Sequence, residues 1–149
     1  MTCTERAALS VLVVDDNPGD QRLAAIAMGE AWRPFDHELE FHFATDGREA
    51  LAQIQQTRFA LIVLDWKLPV LGEGAVLRHL RRNGLRIPVV IISSADREDI
   101  RADLDDLGGA YLSKDKMEPE TFRRAIAHSL ALLGQSAPPT VPPATAAGA

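Results

Sequence analysis

Apolar residues in this chain fall into short, nearly unbroken runs, and the stretches between them keep a helical period. Leu9–Val14 (LSVLVV), Phe59–Leu64 (FALIVL) and Ile87–Ile92 (IPVVII) are the runs. Runs of that length read as strands buried on both faces, the kind found in parallel sheets. His37 to Ala44 alternates instead, with Leu39, Phe41 and Phe43 on one side and His37, Glu40 and His42 nearer the other. That predicts a strand with one less buried face. Ala110–Ser113 is a short last strand. Helices are predicted over 18–31, through Leu23, Ile26 and Ala27, and over 49–56, through Ala50, Leu51 and Ile54. A third carries Val76, Leu77 and Leu80 and ends at Asn83-Gly84. A fourth runs over 97–107 with Ile100, Leu104 and Leu107 inward, and a fifth over 118–133 with Phe122, Ile126, Leu130 and Leu133. Strand then helix, five times over, specifies one α/β domain with a central parallel sheet and helices on both faces.

Composition changes this picture little. The chain of 149 residues fits a single domain, expected over 9–134, with a loose lead-in over 1–8 and a disordered Pro/Ala-rich tail over 135–149. A formal charge of -5 argues against nucleic-acid binding by charge alone. One cysteine, Cys3, excludes a disulfide scaffold or a thiolate metal site within the chain. The sequence shows no run of transmembrane length and no secretory segment, so a cytoplasmic protein without membrane contact is expected.

The chemistry gathers where the strands end. Strand one runs into Asp15-Asp16, strand three into Asp65, strand four into Ser93 and strand five into Lys114. In an open parallel sheet the carboxyl ends of the strands border the ligand crevice. Three carboxylates there repel one another, and a cation relieves that cost. Mg²⁺ suits them, because it takes oxygen ligands and keeps waters. With Lys114 and Ser93 beside it, Asp65 is placed to attack phosphorus, while the ammonium and a metal offset charge on the phosphoryl oxygens. Plainer readings exist for each residue singly. Asp15-Asp16 serves as a helix cap, Asp65 as a strand stop, Ser93 as a turn residue, Lys114 as a solvated lysine and Tyr111 as core. The four histidines, His37, His42, His79 and His128, sit at no ligand spacing and read as surface or edge residues.

Four segments in order decide between these readings. They are Asp15-Asp16, Leu64-Asp65-Trp66-Lys67-Leu68-Pro69, Pro88 to Ala95 (PVVIISSA), and Gly108 to Lys114 (GGAYLSK). Together they resemble the receiver domain of bacterial response regulators, over about residues 9–134. The resemblance implies a flavodoxin-like fold with strand order 2-1-3-4-5. It implies Asp65 as phosphoacceptor from a sensor histidine kinase. Mg²⁺ would be held by Asp15, Asp16, Asp65 and the backbone carbonyl of Lys67. Lys114 would pair with phosphate, Ser93 would be the switch hydroxyl and Tyr111 the switch aromatic. Such a domain catalyses its own phosphorylation and dephosphorylation, with no dedicated substrate turnover expected. Output is expected through protein contacts, a phosphorelay or a homodimer built on the helix 4–strand 5–helix 5 face. The sequence supplies no DNA-binding module. The insertion-like stretch from Trp32 to Glu38 and the Asn17-Pro18-Gly19-Asp20 start are similar to regulators that partner bacterial phytochrome kinases. Two departures stand out. Asp115 follows Lys114 where the family usually has proline in a cis peptide, and Gly72-Glu73-Gly74 stands where the family often has Asp-Gly. The first departure keeps open a phosphorylation-independent adaptor. A Mg²⁺-dependent aspartyl phosphatase is a further alternative, although the chain has no spare length for a substrate cap.

Overall fold

The computed structural model describes residues 9–32, 38–67, 74–93 and 101–134, without the side chains of 32 and 101–103. The expected lead-in and tail, most of the insertion-like stretch, the 68–73 loop and the start of the fourth helix lie outside the described residues. Five strands form one sheet: β1 (Leu9–Val14), β2 (Leu39–Ala44), β3 (Leu61–Asp65), β4 (Val89–Ser93) and β5 (Gly109–Ser113). Their order is β2-β1-β3-β4-β5, and every pairing is parallel. The helices are α1 (Pro18–Trp32), α2 (Gly47–Gln56), α3 (Ala75–Arg82), α4 (Arg101–Asp106) and α5 (Pro119–Leu132). This is the expected doubly wound α/β architecture.

The strands carry two cores because successive side chains point to opposite faces. On one face Val11, Val13, Leu61, Val63, Val90 and Ile92 meet α1 and α5 through Ala27, Met28, Phe122 and Ile126. On the other Leu12, Val14, Ile62, Leu64, Val89 and Ile91 meet α2, α3 and α4 through Ala50, Leu77, Leu80 and Leu104. β3 and β4 are buried at every position, as their unbroken apolar runs require.

Three local expectations are corrected. α1 turns Ala24, Ala27, Met28 and Ala31 inward and leaves Leu23 54% and Ile26 58% exposed. The small side chains let the helix lie close to the sheet and α5, and a face chosen by bulk points the wrong way. β2 is an edge strand, so Phe43 at its outer end is exposed while Leu39 and Phe41 pack on the α1–α5 core. α2 begins at Gly47 because the Asp46 side chain accepts from the Glu49 amide and caps it. The Glu49 carboxylate in turn accepts from the Thr45 amide at 2.7 Å.

One glycine is held tightly at the start of α3. Gly74, at φ 74°, opens α3 directly under Trp66, where a Cβ would sit 2.9 Å from the indole ring. Only glycine meets both demands without strain.

Candidate functional site

The register brings the reactive groups together. Val14 pairs with Leu64, so Asp15 and Asp65 leave neighbouring strands side by side. Asp65 pairs with Ile92, which places Ser93 one residue further along the next strand. Ser93 pairs with Ser113, and Lys114 follows it. The carboxyl edge of the sheet thus collects all of the predicted strand-end residues.

Carboxylate oxygens of Asp15, Asp16 and Asp65 all lie within 4.8 Å of one another. Asp15 is fully buried and Asp65 is 7% exposed, whereas Asp16 is open to solvent. The Lys114 ammonium stands among them. It donates to Asp20 Oδ2 at 2.8 Å and to Asp65 Oδ2 at 3.2 Å, and it is ion-paired with Asp15 Oδ2 at 3.0 Å. Asp65 Oδ1 accepts from the Lys67 backbone amide at 3.2 Å, which fixes the carboxylate plane. Asp15 Oδ1 accepts from the Asn17 amide at 2.9 Å.

Charge at this edge is finely divided. Burial pushes the Asp15 carboxyl up to about 6, against the pull of the Asn17 amide and Lys114, and the neighbouring Asp65 pushes the same way. Burial alone would lower the Lys114 ammonium. Its hydrogen bond to Asp20, its ion pair with Asp15 and the charge of Asp65 outweigh it and raise that ammonium above an ordinary lysine. Asp15 Oδ2 is buried without a hydrogen bond of good geometry, so the ion pair alone serves it. One ammonium against three clustered carboxylates leaves net negative charge. An all-oxygen donor set with an open side at Asp16 fits Mg²⁺, a small hard cation that keeps several waters.

The Lys114–Asp115 bond is trans, and no cis peptide occurs among the described residues. A 3-10 turn over Lys114–Lys116 follows β5, capped by Ser113 Oγ on the Asp115 amide. The lysine nonetheless reaches the cluster. Ser93 is buried at the end of β4, and Tyr111 is half-buried against the α3–α4 side of the core. Lys67 is exposed just past β3. His79 and His128 lie on helices α3 and α5, and His42 lies on the edge strand with its ring edge-on to Phe59. His37 is outside the described residues.

The Asn17-Pro18-Gly19-Asp20 segment carries the turn and cap chemistry that its residues suggest, and two further contributors, Gln21 and Asp20 as a partner of Lys114, went unpredicted. Asn17 Oδ1 accepts from the Gly19 and Asp20 amides at 2.8 and 3.2 Å and so caps α1. The Gln21 amide donates to the carbonyls of Asp15 at 2.8 Å and Ala44 at 3.3 Å, tying α1 to the ends of β1 and β2. Asp20 makes the shortest of the three Lys114 contacts. An acidic residue in a first helical turn reads from sequence as a complement to the helix dipole, so nothing marked Asp20 out.

Comparison with known proteins agrees with this geometry. The family model of the response regulator receiver domain matches residues 11–127. The chain belongs to that family. A gliding motility regulatory protein of Myxococcus xanthus is 36% identical over 121 residues, 79% of this chain and 15% of that protein. The transcriptional regulatory protein PrrA of Mycobacterium leprae is 36% identical over 124 residues, 83% of this chain and 49% of that one. The chain therefore spans half or less of the length of these relatives. Among solved structures, the bacteriophytochrome response regulator AtBRR superposes with a TM-score of 0.66 at 28% identity, over 82% of this chain and 92% of that one. A Francisella response regulator receiver domain gives 0.65 at 26% identity, over 85% and 97%. The Asp15, Asp16 and Asp65 cluster is the Mg²⁺ and phosphoacceptor constellation of receiver domains.

Proposed function

We propose that Asp65 is the residue phosphorylated, by transfer from a phosphohistidine on a sensor histidine kinase. The observation that carries this is the position of Asp65 Oδ2. It lies 3.2 Å from Lys114 Nζ, in a carboxylate whose other oxygen is held by the Lys67 amide. The nucleophile is oriented, and a cation waits beside it. A carboxylate oxygen of Asp65 forms the new bond to phosphorus as the bond from phosphorus to the donor imidazole nitrogen breaks. That nitrogen keeps the electron pair. Lys114 pairs with the phosphoryl oxygens, and Ser93 at the next strand end hydrogen-bonds the product. Asp15, Asp16, Asp65 and the Lys67 carbonyl would hold Mg²⁺, which when bound offsets charge on the transferring group. Hydrolysis of the phosphoaspartate at the same site resets the domain, so the protein works on itself rather than turning over a separate substrate.

The reading extends to partners. The 28% likeness to a bacteriophytochrome response regulator supports a phytochrome-type kinase as the phosphodonor. Among the described residues no helix is long and apolar enough to cross a membrane, in keeping with a cytoplasmic site of action. The α4–β5–α5 face, where Tyr111, Arg124 and His128 line a shallow groove, is the surface for a signalling partner or a second copy. Ser93 and Tyr111 would couple phosphate to that face by shifting the population between two packings. The adaptor reading rested on Asp115, and the reach of Lys114 from a trans bond gives it no further support.

The test is incubation with acetyl phosphate and Mg²⁺, read by intact mass. The protein should gain one phosphoryl group, and Asp65→Asn should gain none. An equal gain in Asp65→Asn would remove the assignment.

A further inference from the structure

Lys114 has more carboxylate around it than one ammonium needs, and one of its partners lies outside the metal cluster. Asp15 and Asp65, at 3.0 and 3.2 Å, belong to the group that takes the cation. Asp20, at 2.8 Å, does not, and its side chain is 26% exposed against 0% and 10% for the other two. When a divalent cation occupies the cluster, it competes with Lys114 for Asp15 and Asp65. Asp20 is then the carboxylate left to hold the ammonium.

The placement of Asp20 is built. The Asn17 side chain accepts from the Asp20 amide and fixes the first turn of α1. One residue on, the Gln21 side chain locks that turn to the carbonyls that end β1 and β2. Lys114, in contrast, starts a three-residue 3-10 turn, and its long stem brings many rotamers. Its aim depends on what its ammonium meets.

We propose that Asp20 is a positioning residue of the phosphoacceptor centre. From α1 it gives the Lys114 ammonium a carboxylate to keep when the cation takes Asp15 and Asp65, and so holds it beside the cluster, ready for phosphate. The role in phosphorylation rests on the receiver reading above, whereas the competition with metal does not. Without Asp20, Asp15 and Asp65 are the only carboxylates of the three left to the ammonium, and the cation has to displace it with none to receive it.

The decisive experiment is a double-mutant cycle in Mg²⁺ affinity, followed by Trp66 fluorescence or calorimetry on the full chain. Asp20→Asn should weaken Mg²⁺ binding about fivefold while Lys114 is present, and less than twofold in a Lys114→Met background. Asp20→Glu should recover most of the loss. Equal weakening in both backgrounds would mean that Asp20 acts only as one more negative charge, and no weakening with Lys114 present would mean that it does not position the lysine. Either result overturns the proposal. Urea unfolding of each variant separates both from loss of fold. A second readout is the initial rate of phosphorylation by acetyl phosphate at saturating Mg²⁺, which should fall severalfold in Asp20→Asn and return in Asp20→Glu. If the unaltered protein takes up no phosphate, the receiver reading fails, and the affinity cycle still decides whether Asp20 holds Lys114.

Discussion

Asp15 has its backbone in the sheet edge, its carboxyl in the core and its charge in the metal cluster. Its carboxyl is pushed from 3.8 up to about 6, chiefly by burial. The sign is the reverse of that for a salt-bridged surface aspartate. Between those two values the folded, metal-free protein holds a proton that the unfolded chain has released. Its stability therefore declines as pH rises through that window and is level above it. Metal binding runs the other way, because a cation needs the ionised carboxylate. Mg²⁺ affinity should be flat above about pH 7 and drop about tenfold per unit well below about pH 6, with a proton released on binding. Calorimetry in buffers of different ionisation enthalpy measures both. Asp15→Asn should bind more weakly and lose the pH dependence. The identities at this edge were legible in the sequence because each ends an apolar run, a place where a charge has few bland reasons to be. Asp20 and Gln21 were not legible. Their roles depend on where the first turn of α1 meets β2 and β5, and no local pattern carries that.

The elements follow their patterns wherever bulk and burial agree. β3 and β4 are apolar up to their last residues, Asp65 and Ser93, and buried throughout. α1 breaks the rule because its inner face is alanine apart from Met28. Two substitutions separate the readings. Leu23→Ala, on the exposed face, should change stability by no more than about 0.5 kcal/mol. Ala27→Leu, against the sheet and α5, should destabilise by about 1–3 kcal/mol through overpacking. Urea unfolding measures both, and the opposite order would put the helix the other way round. α5 holds a second detail hidden from pattern. Ser129 is fully buried in the helix, where its hydroxyl accepts from the Val89 amide at 3.1 Å and donates to the Gly108 carbonyl at 2.6 Å. It joins the start of β4 to the turn before β5. Ser129→Ala takes the hydroxyl acceptor from the Val89 amide and leaves the Gly108 carbonyl only Arg81 Nη2 at 3.3 Å, and should cost about 1–3 kcal/mol. A serine in an amphipathic helix gives no sign of this, since its partners lie 40 and 21 residues away.

At the scale of the molecule, the sheet supplies stability and its carboxyl edge consumes some of it. Two continuous cores hold the strands, while like charges crowd the edge at Asp15, Asp16 and Asp65. A cation that binds the folded state alone converts that crowding into stabilisation, by about 2.7 kcal/mol at a hundred times its dissociation constant. Asp16 is the residue with which to test the trade, because it is exposed and its loss opens no cavity. Without metal, Asp16→Asn removes a repelling charge and should raise the urea midpoint slightly. With Mg²⁺ the order should invert, because the unaltered protein gains the binding increment and the variant gains little. The denaturant slope should stay constant throughout, since neither change alters the surface exposed on unfolding. The crossing of the two midpoints is the signature. If Mg²⁺ stabilised Asp16→Asn as strongly as the unaltered protein, the cation would be bound elsewhere, and the edge carboxylates would be a cost that the sheet bears with no metal to offset it.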